Sequence, residues 1–229
     1  MIRMILWDLD NTLLDPRPPE RLAIRKCFRD LDLGECTDEM LDAYPAINNK
    51  WWTMCEKGEK TKDEILVGRF QEFLSVFGRP VDKAADFLAD YMDSLGDNIF
   101  PIPGALETLR FLKGKVKQYI LTNGVWASQR KKLCNSGIID IVDDVFVSED
   151  IGFEKPEKEI YDLVLDKLGC FDRSEVMMVG DSLTTDILGG NNAGILCCWF
   201  NPKHKKRPSD LRIDYEIDEI RQLLPILGY

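Results

Sequence analysis

The segment Met4-Ile5-Leu6-Trp7 is four apolar residues long and stops abruptly on Asp8-Leu9-Asp10-Asn11-Thr12. An apolar run this short, with no polar residue on either face, reads as a parallel strand buried on both sides and ending in a loop. The same pattern returns downstream. Gln118–Leu121 leads into Thr122-Asn123-Gly124, and Glu175–Val179 leads into Gly180-Asp181. Val145–Val147, Ile195–Trp199 and Asp214–Ile217 read as further strands. Helical periodicity fills the gaps, over Leu106–Leu112, Trp126–Asn135, Glu159–Leu168, Thr184–Asn192 and Glu219–Leu227. Strands alternating with helices predict right-handed crossovers, a parallel sheet and an α/β fold with helices on both faces.

Between the first strand and the others the pattern changes. Pro16, Pro18 and Pro19 break the chain. From Glu20 to about Ser94 only helical periodicity is found. Leu22, Ile24, Cys27, Phe28 and Leu31 make one stripe, and Phe87, Leu88, Tyr91, Met92 and Leu95 another. Thr61-Lys62-Asp63-Glu64 has the form of a capping box, opening a helix that carries Ile65, Phe70, Phe73 and Phe77. The expected organisation is a core made of residues 1–15 and 101–229, with 16–100 inserted as a four-helix unit.

Composition narrows the classes. The net charge of −10 argues against a protein that coats a nucleic acid polymer or an anionic membrane. The seven cysteines, Cys27, Cys36, Cys55, Cys134, Cys170, Cys197 and Cys198, form no C-x-x-C pair. Their odd number suits a reducing, cytoplasmic setting better than a disulfide framework. The chain meets Asp8 too early for a signal peptide, and no run approaches the length of a spanning helix.

In open α/β sheets ligands bind beyond the carboxyl ends of the strands. That rule gathers Asp8, Asp10, Thr122, Asn123, Lys155, Asp181 and Asp186 onto one rim. Residues i and i+2 of a strand share a side, so Asp8 and Asp10 can face one substrate. One can attack while the other moves protons if their environments separate their pKa values. Taken alone, the pair equally describes a solvated turn. Asp181 with Asp8 and a nearby backbone carbonyl makes a hard-oxygen set suited to Mg²⁺, although Gly180-Asp181-Ser182 also reads as a helix cap. Lys155 offers one fixed positive charge or is an ordinary exposed lysine. Thr122, Asn123 and Gly124 can offer a hydroxyl, an amide and a close backbone approach to phosphate oxygens, or simply end a strand.

The four segments together resemble the haloacid dehalogenase-like superfamily over nearly the full length. Asp8-Leu9-Asp10-Asn11-Thr12-Leu13 resembles its first motif, Thr122-Asn123 its second, Lys155-Pro156 its third, and Gly180-Asp181-Ser182-Leu183-Thr184-Thr185-Asp186 its fourth. The resemblance implies a Rossmann-like core with an inserted helical cap. It implies a Mg²⁺-dependent phosphomonoester hydrolase in which Asp8 attacks phosphorus and Asp10 serves as acid and then base. Asp8, the Asp10 carbonyl and Asp181 are implied as metal ligands. Thr122, Asn123 and Lys155 are implied around the phosphate, with Asp186 in an outer position. Dehalogenation is a rival, but dehalogenases of this superfamily lack the second acid of the first motif. A phosphomutase and a non-catalytic binding protein are weaker alternatives.

The segments Asn48–Gly58 and Gly68-Arg69-Phe70, with Ser148–Gly152, Asp186–Gly190 and Cys198-Trp199, are similar to the pyrimidine 5′-nucleotidase branch. That similarity implies a small phosphorylated metabolite as partner, a nucleoside monophosphate above a sugar phosphate. Trp52 and Arg69 are the candidate specificity residues, although aromatic residues on such helices mainly pack cores. His204, the sole histidine, reads as solvent-exposed.

Overall fold

The computed structural model describes residues 1–169 and 172–229. Cys170 lies outside the described residues. The chain forms two compact units. Met1–Pro16 and Ile99–Tyr229 make the first, and Arg17–Asn98 the second.

The first unit is an α/β sandwich. Its strands are β1 (Met4–Trp7), β2 (Lys117–Thr122), β3 (Asp144–Val147), β4 (Val176–Gly180), β5 (Leu196–Phe200) and β6 (Tyr215–Ile217). They form one six-stranded sheet in the order β3-β2-β1-β4-β5-β6, with every adjacent pair parallel. The expected strands all form, with no end displaced by more than one residue. Successive side chains alternate between two buried layers, so the inner stretches of these strands are apolar on both faces. Ile5, Trp7, Ile120, Met177 and Val179 face one apolar layer, with Leu109 and Leu112. Leu6, Tyr119, Leu121, Val176 and Met178 face the other, with Ile160, Tyr161 and Val164.

Helices of the second unit are α1 (Arg17–Asp30), α2 (Asp38–Glu56), α3 (Lys62–Val76) and α4 (Ala84–Ser94). Those of the first unit are α5 (Ala105–Leu112), α6 (Trp126–Ser136), α7 (Ser148–Ile151), α8 (Lys158–Lys167), α9 (Leu188–Ala193) and α10 (Leu223–Ile226). The second unit is closed by an aromatic cluster in which Phe28, Tyr44, Phe70, Phe73, Phe87 and Tyr91 pack against one another. The Thr61–Glu64 capping box forms, each side chain taking the other's backbone N–H.

Three helical expectations are corrected. Leu22 is 45% exposed, and the buried α1 stripe is Ile24, Cys27 and Phe28, because position 22 falls off a face with a period of 3.6 residues. The helix expected over Thr184–Asn192 opens as a wide π-type turn, Leu183–Ile187, before α9. There the Ser182 carbonyl accepts from the backbone N–H of both Asp186 and Ile187 at 3.1 Å. The closing helix is reduced to a 3₁₀ turn, Ile220–Gln222, and α10, which contains Pro225. A proline has no N–H for a helical hydrogen bond, and its ring crowds the preceding turn.

No helix of the described residues is long and apolar enough to cross a membrane. Among the described residues, Cys27, Cys36, Cys134, Cys197 and Cys198 are free thiols.

The revised α1 stripe has a direct check. In urea unfolding monitored by circular dichroism, Ile24→Ala should cost about 2–5 kcal/mol, whereas Leu22→Ala should stay within about 0.5 kcal/mol of the parent. Comparable losses at the two positions would refute the assignment of Leu22 to the outer face.

Candidate active site

The strand order puts β1 between β2 and β4, so three loops emerge side by side. Trp7 is level with Ile120 of β2 and with Val179 of β4. One residue beyond Trp7 comes Asp8. Thr122 and Asp181 stand two residues past their own paired positions. The Asp8 N–H still donates to the Val179 carbonyl at 2.9 Å, so the strand's hydrogen bonding carries the residue into the rim.

Asp8 is 9% exposed. Its Oδ1 accepts from Lys155 Nζ at 2.8 Å, and its Oδ2 accepts from the Thr12 hydroxyl at 3.1 Å. Lys155 is buried and also donates to Asp186 Oδ1 at 2.7 Å. The other Asp186 oxygen accepts from the Ser182 backbone N–H at 3.0 Å. A Cβ on Gly180 would stand 2.2 Å from that same oxygen, so the close approach of Asp186 to the end of β4 requires glycine there.

Asn123 is placed differently from the phosphate ligand expected. Its Nδ2 donates to the Lys155 carbonyl at 2.8 Å, and its Oδ1 accepts from the Lys155 N–H at 2.9 Å. The side-chain amide is therefore committed to fixing the Lys155 loop. Thr122 retains a free function. Its hydroxyl oxygen accepts from Gln129 Nε2 at 2.8 Å and from the Gly124 N–H at 3.2 Å. Its own proton is then the remaining hydrogen-bonding group.

Asp10 stands apart from Asp8 in its partners. Lys132 Nζ lies 2.7 and 2.9 Å from its two oxygens, and Gln129 Nε2 donates to Oδ2 at 2.9 Å. Thr12, Gln129 and Lys132 were missed as functional residues by sequence reasoning. The one signal available for the last two was their i, i+3 spacing, which puts both on one face of a helix following Thr122-Asn123-Gly124.

Carboxylate oxygens of Asp8, Asp181 and Asp186 all lie within 4.8 Å of one another. Three carboxylates thus crowd together where one buried ammonium pairs with two of them, so full ionisation of all three would leave negative charge in excess. Burial raises Asp8 to about 7, opposed by the Lys155 charge and reinforced by Asp186. Burial likewise raises Asp181 to about 8, with Asp8 and Asp186 adding repulsion. Lys155 is pushed above its ordinary value, because attraction to Asp186 and Asp8 outweighs the opposing effect of its burial. An all-oxygen donor set whose full ionisation is opposed by burial and mutual repulsion fits a hard divalent cation. Asp8, Asp181 and Asp186 are the side chains that could hold one; Asp8 also carries Lys155 and Thr12, and Asp186 carries Lys155 and the Ser182 N–H. The Trp199 indole donates to the Asp181 carbonyl at 3.0 Å and fixes that backbone.

Trp52 and Arg69 belong to the second unit. Arg69 is buried, donates to Asn48 Oδ1 at 2.7 Å and lies over the Phe70 and Tyr91 rings. Trp52 is half-buried. Its neighbour Trp51 donates from Nε1 to Glu72 at 2.8 Å. His204 is exposed, with Asp218 3.6 Å away.

Residues 2–194 match the haloacid dehalogenase-like hydrolase family. The crystal structure of the HAD-hydrolase YfnB of Bacillus subtilis bound to magnesium superposes with a TM-score of 0.94 at 36% identity, covering 100% of this chain and 99% of that one. The chain is 31% identical over 226 residues to the pyrimidine 5′-nucleotidase YjjG of Escherichia coli, covering 97% of this chain and 96% of the relative. It is also 31% identical over 229 residues to the pyrimidine 5′-nucleotidase PynA of Streptococcus pneumoniae, covering 98% and 94%.

The charge imbalance predicts substitutions of opposite sign in chelator-treated protein. Lys155→Met should lower stability by about 3–5 kcal/mol, because it leaves buried carboxylates without a counter-charge. Asp181→Asn should raise the melting temperature by removing one of the crowded charges, the usual trade of function against stability. Differential scanning fluorimetry in EDTA reads both. A fall with Asp181→Asn would contradict the picture of an over-charged site.

Proposed function

The chain belongs to the haloacid dehalogenase-like hydrolases, and on that premise we propose that it is a phosphomonoesterase working through an aspartyl-phosphate on Asp8. Its proposed substrate is a pyrimidine nucleoside 5′-monophosphate. The observation that carries the chemistry is the separate anchoring of two acids on one loop. Asp8 is held by Thr12 and Lys155, and Asp10 by Lys132 and Gln129. Two carboxylates in two environments can take two roles.

In the first half-reaction an Asp8 oxygen attacks phosphorus and the bond from phosphorus to the ester oxygen breaks. The Asp10 carboxyl gives its proton to that leaving oxygen. In the second, water attacks phosphorus, its proton passes to the Asp10 carboxylate, and the bond from phosphorus to Asp8 breaks. Inorganic phosphate leaves and both acids return to their starting states. The Thr122 hydroxyl and the Lys155 ammonium hold the phosphoryl oxygens. Asn123 and Asp186 act through Lys155, one on its backbone and one on its ammonium. The side chains of Asp8 and Asp181, with the Asp10 carbonyl, are the proposed ligands of Mg²⁺. When bound, the ion supplies the positive charge that lets an anionic carboxylate meet an anionic phosphoryl group.

A halide leaves without a proton, so dehalogenation would give Asp10 no task in the first step. That favours phosphate esters. Support for a nucleotide comes from the two pyrimidine nucleotidases, each aligned along nearly the whole chain. The phosphate-handling residues carry no information about a base. Base preference is therefore proposed to depend on the second unit, with Trp52 as contributor. Arg69 is buried on Asn48, so its contribution would be to hold Asn48 in place.

A phosphate-release panel tests both levels. With Mg²⁺, deoxyuridine, uridine and thymidine 5′-monophosphates should exceed their purine counterparts and hexose phosphates in kcat/KM by at least about tenfold, or ~1.4 kcal/mol. Asp8→Asn should abolish release while preserving the circular dichroism spectrum. A flat profile or a sugar-phosphate preference would overturn the nucleotidase assignment alone. An active Asp8→Asn would overturn the nucleophile.

A further inference from the structure

Lys132 and Gln129 are costly residues where they stand. Lys132 is 7% exposed and Gln129 fully buried. The Gln129 Oε1 has no hydrogen-bond partner, a loss that burial makes expensive. Apolar side chains of similar size would fill these positions more cheaply. Packing therefore does not account for them, and their contacts must.

Those contacts converge on one carboxylate. Lys132 Nζ spans both Asp10 oxygens, at 2.7 and 2.9 Å. Gln129 Nε2 divides its two hydrogens between Asp10 Oδ2 at 2.9 Å and the Thr122 hydroxyl at 2.8 Å. Both residues project from α6, three positions apart and so on the same face. The helix begins directly after Thr122-Asn123-Gly124, which ties its register to the end of β2. A Cβ on Gly124 would stand 2.3 Å from Gln129 Nε2, so glycine at that position is what lets the amide reach both partners.

We infer that Lys132 and Gln129 are positioning residues for Asp10. They fix the plane of its carboxylate and lock it to the phosphoryl-binding Thr122 hydroxyl. The inference rests on the phosphatase reading above and deepens it. A proton donor that must later act as a proton acceptor needs the same placement in both half-reactions, and misplacement by an ångström is expensive. The step most exposed to losing that placement is the second. There water forms its bond to phosphorus, the bond from phosphorus to Asp8 breaks, and the water proton passes to Asp10. An activated aryl ester needs little help from an acid in the first step, so it separates the two.

The test uses 4-nitrophenyl phosphate with Mg²⁺ and stopped-flow detection of nitrophenolate. For Lys132→Met the first turnover should stay within about threefold of wild type, while steady turnover falls about 10²-fold, the lower end of what a positioned acid–base group contributes. Phosphoenzyme should then accumulate to nearly one per site after acid quench. Lys132→Arg should restore most of the turnover, and Gln129→Leu should show the same split in milder form. In an Asp10→Asn background, Lys132→Met should slow turnover by less than about threefold, because coupled residues are not additive. Burst and turnover falling together, or a full further loss in the Asp10→Asn background, would overturn the inference and leave the phosphatase reading intact. If Lys132→Met does not fold by circular dichroism, Gln129→Leu carries the same comparison, with Lys132→Arg as the control expected near wild type. Wild-type protein that releases no nitrophenolate would overturn the phosphatase reading and the inference with it.

Discussion

One buried ammonium organises the rim of the sheet. Lys155 Nζ donates to Asp8 at 2.8 Å and to Asp186 at 2.7 Å, joining residues that are 147 and 31 positions from it in sequence. In a low-dielectric pocket a charge pair of this kind is weak evidence for stability, since desolvation offsets much of the attraction. Here the carboxylates outnumber the cation, so the cluster is not the arrangement that maximises stability. It is an arrangement poised to receive positive charge. Much of the surrounding structure maintains that condition. Asn123 grips both backbone groups of Lys155, Ser182 takes the second Asp186 oxygen, and Gly180 makes room for it.

A second consequence is the separation of two acids only two residues apart. Asp8 is drawn into the Lys155 network, while Asp10 is drawn to α6. Had both carboxylates shared one partner, their titrations and their tasks would be tied together. In the proposed mechanism these distinct counter-charges let one act as nucleophile while the other moves protons, the division that phosphate-ester hydrolysis needs. The parallel sheet is what makes this possible. β2, β1 and β4 lie side by side, so groups from three loops reach one place without any loop crossing another.

Much of this was legible in the sequence for identifiable reasons. Strands buried on both faces read as uninterrupted apolar runs, so Met4–Trp7 and its counterparts stood out, as did the polar residues that stop them. The capping box at Thr61–Glu64 was legible because both its partners are local. Contacts that depend on which helix face meets which loop were not. Nothing local marks Lys132 as a partner of a residue 122 positions away, and a lysine in a helix otherwise reads as solvated. The side-chain contacts of Asn123 are hidden for a similar reason, since its amide is claimed by a loop 32 positions downstream. Leu22 lies outside the buried stripe because the helical angle between positions 22 and 24 turns it to the outer face, which a run of apolar residues alone does not reveal. At the C-terminus, Pro225 offered a signal that was available and was outweighed by the apolar pattern.

The central claim is that a covalent phosphoryl group resides on Asp8 during turnover, and it can be read directly. With protein in excess over 4-nitrophenyl phosphate, a reaction quenched in the first turnover and reduced with borohydride converts an acyl phosphate to the alcohol. Peptide mass spectrometry should then find homoserine at position 8 and unmodified aspartate at positions 10, 181 and 186. Phosphate release with position 8 unmodified, or reduction at one of the other acids, would contradict the assignment of Asp8 as nucleophile.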